Sequence, residues 1–103
     1  MIERTAKNGH KIIELNRTEA QRLRWGDICD QCNGDLMDLR YYIPVLDYGV
    51  CGECVTNWEN TASFFEEELT FEQASINVLR MVNIDYKIEE EKYNDNIRHQ
   101  EQT

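Results

Sequence analysis

The 103-residue chain predicts a single small α+β domain, and three observations carry that expectation. Four cysteines fall in two C-x2-C pairs, Cys29/Cys32 and Cys51/Cys54, with 18 residues between the pairs. Two β-rich segments, Lys11-Ile12-Ile13-Glu14-Leu15 and Tyr41-Tyr42-Ile43-Pro44-Val45-Leu46, each lie beside a turn signal. Apolar residues recur at spacings of three and four after Cys54 and again from Phe71, which is the period of a helix face. Hydrophobic residues make up 41% of the chain and charged residues 30%, so the core is thin and a staple is useful to it.

Taken in order, residues 1–15 read as a β-hairpin. Asn8-Gly9 suits a two-residue turn because both residue types tolerate positive φ. Thr18-Glu19-Ala20-Gln21 reads as a capping box that opens a short helix, with Ala20, Leu23 and Trp25 on its apolar side and Gly26 as its stop. After the first cysteine pair, Asn33-Gly34 lets the chain turn sharply. The strand over 41–46 then turns at Asp47-Tyr48-Gly49 and returns to the second pair. Val55, Trp58, Ala62 and Phe65 continue as one helix face, which puts Cys51 and Cys54 in the first turn of that helix. Trp58 heads the stripe and is expected between this helix and the rest of the core. Thr70-Phe71-Glu72-Gln73 reads as a second capping box, and Phe71, Ala74, Val78, Leu79 and Val82 as the buried stripe of its helix. Past Asn83, Ile84, Tyr86 and Ile88 alternate as in a strand, while Tyr86, Tyr93 and Ile97 also fit a helix face. The domain is expected over 1–93, with 94–103 a frayed or disordered polar tail.

The cysteine spacing falls in the range of a four-cysteine zinc site. Two intervening residues let both sulfurs of a pair converge on one ion about 2.3 Å away, and soft thiolates in a tetrahedron suit Zn²⁺. All four cysteines of the chain are used and none is left over. The expectation is one structural Zn²⁺ per chain held by Cys29, Cys32, Cys51 and Cys54. Iron in the same four thiolates, buried thiols or a disulfide, and a redox C-x-x-C are the alternatives. The last is opposed by the lack of a βαβ pattern around either pair. A knuckle, a hairpin and a helix whose first turn gives the last two ligands resemble the treble-clef zinc fingers, over about residues 27–62. The spacing is also similar to the second module of LIM domains, although those carry two adjacent sites and this chain has cysteines for one. The resemblance implies a zinc-stapled treble clef with an N-terminal hairpin and two or three helices, and it implies no particular activity.

Nothing in the sequence supports an enzyme. Four cysteines close a zinc site that catalysis would need open. The zinc-deaminase signature fails, since Val50 and not Pro precedes Cys51, and Lys11-Ile12 follow His10 where an x-Glu is required. His10 and His99 read as solvated surface residues, Ser63 and Ser75 lie in no nucleophile motif, and there is no Gly-rich phosphate loop.

Charge points to a partner. The formal net charge is -9, yet residues 1–26 carry net +3 and the remainder net -12. Most of the molecule therefore repels a phosphate backbone. The acidic segments containing Glu66, Glu67, Glu68 and Glu72, and Glu89, Glu90 and Glu91, are expected to meet a basic protein surface. The plainer alternative is that these carboxylates only keep the chain soluble. Small acidic inhibitors of phages and mobile elements, of the anti-CRISPR or anti-restriction style, are similar in size and charge. The first functional reading is thus a non-catalytic protein-interaction or regulatory module. The second is a nucleic-acid-binding finger or transcription regulator that uses the basic N-terminal segment and Trp25, opposed by the absence of Lys or Arg between Cys54 and Leu69. No apolar stretch approaches the roughly 20 residues of a membrane span, and Met1-Ile2-Glu3-Arg4 leads into no apolar leader region, so a cytoplasmic location is expected.

Overall fold

The computed structural model describes residues 1–82 and 86–89. Strands β1 (Ile2–Thr5) and β2 (Lys11–Leu15) pair antiparallel as the expected hairpin, with Thr5 opposite Lys11. Their connection is longer than a two-residue turn. The Gly9 N–H donates to the Ala6 carbonyl at 3.0 Å and the Ala6 N–H to the His10 carbonyl at 2.7 Å. Only Gly9 takes a left-handed φ, at 96°, and the Asn8 side chain instead accepts from the His10 N–H at 3.0 Å. A Cβ at Gly9 would also meet the Phe64 ring at 3.1 Å.

Helix α1 (Arg17–Arg22) is capped two residues earlier than Thr18 suggested. Asn16 accepts from the Glu19 N–H and Glu19 accepts from the Asn16 N–H, a reciprocal box in which a carboxamide replaces the hydroxyl. The helix also closes before Gly26. Arg24 sits at φ 60°, the Trp25 N–H reaches back to the Ala20 carbonyl at 2.9 Å, and the Arg24 N–H reaches the Gln21 carbonyl at 3.0 Å. That pair of bonds satisfies the terminal carbonyls with Arg24 where glycine is usual.

Strands β3 (Arg40–Ile43) and β4 (Tyr48–Val50) form a second antiparallel hairpin. The strand expected over 41–46 stops at Ile43, because Pro44 has no N–H for the ladder, and residues 44–47 make the turn with Asp47 at φ 58°. β5 (Lys87–Ile88) adds to β1 in parallel, which gives a five-stranded sheet in the order β4-β3-β2-β1-β5. The alternating reading past Asn83 is thus met at Lys87 and Ile88. Ile84 and the polar tail over 94–103 lie outside the described residues.

The sheet is covered on both faces. One face carries Ile13, Leu15 and Tyr42, which pack with Met1, Ala20, Ile76 and Leu79 under α1 and α3 (Leu69–Val82). The other carries Ile12, Ile43 and Val50, which pack with Ala6, Cys29, Leu36 and Val55 under α2 (Gly52–Thr61) and the loop before β3. The period-two alternation of Ile12/Ile13 and Tyr42/Ile43 assigns one residue of each pair to each core. Trp58 is partly buried against the second core, as its place on the stripe suggests.

Two helix faces differ from the sequence reading. α2 ends at Thr61, so Ala62 is its cap and Phe65 lies beyond it, 53% exposed. A short 3-10 turn (Glu66–Glu68) then leads into α3 at Leu69, and no capping box forms at Thr70. The buried face of α3 is Glu72, Ile76 and Leu79, while Phe71, Val78 and Val82 are each more than half exposed. Of the five residues expected in its core stripe, only Leu79 is inside. The orientation follows from polar anchors that lie far apart in sequence. Glu72 accepts from the Lys11 N–H at 2.6 Å and lies 3.1 Å from His10 Nδ1, and Arg80 reaches Glu3 at 2.8 Å. Tyr86 also donates to Glu3, at 2.6 Å, which ties β1 to the segment entering β5.

The outer edge of β4 is occupied. The Gly49 N–H donates to Asp30 Oδ2 at 2.8 Å, and the Gly49 carbonyl accepts from the Asp30 N–H at 2.9 Å. Among the described residues no helix is long and apolar enough to cross a membrane.

Candidate metal centre

The first two sulfurs come from a tight loop. Ile28 bridges Asp35, the Cys29 N–H donates to the Gly34 carbonyl at 2.8 Å, and the Asn33 N–H donates to the Cys29 carbonyl at 2.9 Å. Asn33 supplies the left-handed residue of the turn at φ 62°. The second two come from the start of α2, where Cys51 is the cap and Cys54 the third helical residue. The β3–β4 hairpin, whose outer strand is bonded to Asp30, brings the two halves together.

The four Sγ atoms lie within 4.8 Å of one another, and Cys32 Sγ is 4.0 Å from Cys51 Sγ. A tetrahedron with metal–sulfur bonds of about 2.3 Å has sulfurs about 3.8 Å apart, so the cluster is the right size for one ion. Cys29 is buried, Cys51 and Cys54 are half-buried and Cys32 is exposed. The ion would therefore sit at the margin of the α2-side core.

Electrostatics favour a cation here. Burial alone would push the Cys29 thiol up, but the backbone N–H groups of Cys32, Cys51 and Gln31 outweigh it and bring Cys29 down to about 7. The Cys51 N–H donates to Cys29 Sγ at 3.4 Å. Desolvation, with the neighbouring Cys51, Cys32 and Cys29 sulfurs, pushes Cys54 up. At Cys32 the Gly34 N–H works downward, yet Cys29 and Cys51 leave the thiol raised. One thiolate is thus prepared by the backbone, and its neighbours resist a second charge until a dication supplies the balance. Four thiolates would leave a tetrahedral ion no open coordination position. The residues present fit a bound metal ion.

The other sequence-derived candidates are dispersed. Glu66 and Glu67 are exposed and Glu68 half-buried on the 3-10 turn, and Glu89 is exposed just after β5. Glu90 and Glu91 lie outside the described residues. Glu72 is not on an acidic surface at all: it is 3% exposed. Its partner His10, expected on the surface, is 1% exposed, tilted against Phe64 at 4.8 Å and Trp58 at 5.9 Å between ring centroids. Its Nε2 lies 3.7 Å from Glu68. Sequence reasoning missed this pair because 62 residues separate its members. The only local sign was a histidine following a turn glycine.

No protein-family model, no curated protein and no solved structure matches the chain.

Proposed function

We propose that this chain is a non-catalytic interaction module: a treble-clef finger, stapled by one structural Zn²⁺ on Cys29, Cys32, Cys51 and Cys54, that presents an acidic surface to a basic protein partner. The single observation that carries the reading is the closed set of four sulfurs within 4.8 Å, supplied by a loop and by the first turn of a helix across a hairpin. Such a site spends all its ligands on holding the fold and leaves none for substrate. Glu66 and Glu67 of the acidic turn, with Glu89, supply the exposed charge that supports a basic partner, in the manner of an anti-CRISPR or anti-restriction inhibitor.

Elemental analysis of anaerobically purified protein tests the staple, with one zinc per chain expected and metal-free folded protein overturning it. Replacing Glu66, Glu67 and Glu68 with Gln tests the surface. A folded, metal-loaded variant should associate more slowly with the partner and lose salt dependence, since charges are screened beyond about 8 Å at physiological ionic strength. An unchanged rate removes the electrostatic role. The nucleic-acid reading rests on the exposed Arg24, which lines a groove of about 320 Å³ together with Trp25. The Trp25 ring already packs at a tilt of 31° against Tyr42, with centroids 4.8 Å apart, which leaves less of it for a base. Micromolar binding to DNA or RNA at physiological salt would favour that second reading.

A further inference from the structure

The outward side of α3 carries Phe71, Ala74, Val78 and Met81, spaced three, four and three, which is the seam of a two-heptad coiled coil. None of the four is buried: Phe71 is 52% exposed, Val78 59% and Met81 85%, and Ala74 is exposed as well. Val82, 60% exposed, flanks the patch at its C-terminal end. We propose that this seam is a homodimer interface, pairing antiparallel about a two-fold axis with the same helix of a second copy of this chain.

Three features assign a second copy as the occupant. The first is area. A half-exposed Phe presents roughly 100 Å², so the seam and Val82 offer roughly 400–500 Å² of apolar surface per copy, within the range of the largest patch a monomer carries and about half of the roughly 800 Å² per partner in a standard interface. The second is self-complementarity. An axis between Ala74 and Val78 sets Ala74 against Val78 of the partner subunit and Phe71 against Met81 of the partner subunit. Small residues meet at the crossing, and an adaptable thioether meets a ring at each end.

The third is charge. In a chain of net -9, the only charged residues of α3 are Glu72 and Arg80, and both are held by the molecule's own groups, Glu72 by His10 and Lys11 and Arg80 by Glu3. The seam and its flanking Thr70, Ser75 and Asn77 hold no charge to repel a like copy and none to attract a basic partner. Charge also selects the direction. The acidic turn Glu66–Glu68 abuts the first turn of α3, so parallel helices would bring two acidic turns together. Antiparallel helices separate them by the length of the helix, about 20 Å, beyond the screening distance of about 8 Å.

The experiment is sedimentation equilibrium of the full metal-loaded chain over about 1–200 µM, on the expectation of a dissociation constant on the order of 10 µM. The mass should rise from 12.2 kDa toward twice that value. Added salt should tighten the dimer by screening the repulsion between two acidic copies, the reverse of its effect on a basic partner, so this test fails or holds independently of the proposed function. Val78→Glu and Met81→Glu should each weaken the dimer at least 100-fold without changing far-UV circular dichroism or metal content. Met81 is so exposed that its variant has no folding reason to fail. A wild-type chain that stays monomeric across the range, a dimer that salt weakens, or a dimer unchanged in the folded Met81→Glu variant would overturn the proposal.

Discussion

The two faces of the sheet are closed by different physics. Under α1 and α3 the core is built from larger side chains, Ile13, Leu15, Tyr42, Ile76 and Leu79, with the buried Glu72–His10 pair as a polar anchor. Under α2 the core is smaller in the side chains it uses, Ala6, Val50, Val55 and the Cys29 thiol among them, and α2 buries only Val55 completely. The four sulfurs lie on this side. Cohesion on the α3 side is spread over many contacts. On the α2 side much of it is concentrated at one proposed ion, which a chelator can remove. Because β2 and β3 contribute residues to both cores, the two are expected to fail together.

Chelation should give the largest effect. Binding of a structural zinc is worth on the order of 10 kcal/mol, against a total stability of about 5–10 kcal/mol for a domain this small. Chelator should therefore abolish the far-UV signal of both helical layers in one transition. Survival of the α3 signal would break the comparison and make the faces independent.

Cavity-forming substitutions should then rank the two cores in the metal-loaded protein. Leu79→Ala is expected to cost about 3 kcal/mol and Val55→Ala about 1.5 kcal/mol in denaturant melts, because each removed methylene is worth about 0.8 kcal/mol before any cavity is counted. The reverse order would mean that the α2 side depends on packing as much as the α3 side does.

The polar anchor comes next. Glu72→Ala leaves the Lys11 N–H and His10 Nδ1 buried without their acceptor and should cost about 2 kcal/mol. Glu72→Gln, which keeps an acceptor oxygen, should cost less. Equal stability of Glu72→Ala and the wild type would remove the anchor from the account of how α3 is oriented.

The smallest effect belongs to a tether that the α2 side holds besides its sulfurs. Arg4 donates to Glu59 at 2.8 Å, and the Lys7 N–H donates to the same carboxylate at 3.1 Å. The guanidinium holds Glu59 below its ordinary value of 4.5. A depressed carboxylate contributes stability that is present above its unfolded pKa and lost as pH falls through its folded one. Glu59→Gln should therefore cost about 1 kcal/mol at neutral pH and flatten the loss of stability below about pH 4.5. An unchanged acid limb would show that the tether is idle.

The same contrast explains what was legible in the sequence. The cysteine cluster was readable because its ligands are two local pairs and the hairpin between them is short. Cys51 and Cys54 at the head of α2 followed from the helical period of Val55 and Trp58 alone. The α3 side was harder. Its apolar stripe was visible, yet periodicity cannot say which of two apolar faces turns inward. That choice was made by Glu72 meeting His10 and by Arg80 meeting Glu3, contacts across 62 and 77 residues. Caps were misplaced for a local reason: Asn16 and Glu19 satisfy the same geometry as Thr18 and Gln21, and the backbone at Arg24 turns without waiting for Gly26.

The bond pair between Asp30 and Gly49 gives the cysteine loop a second duty. An edge strand with free N–H and carbonyl groups is a template on which other chains polymerise. At Gly49 both outward groups of β4 are spent on Asp30, so the loop that carries Cys29 and Cys32 also shields the strand from its neighbours. Oxidation of the thiols would then do more than loosen one face. It would release a sticky margin of the sheet, and the chain's sensitivity to peroxide would be felt first as aggregation and only later as unfolding.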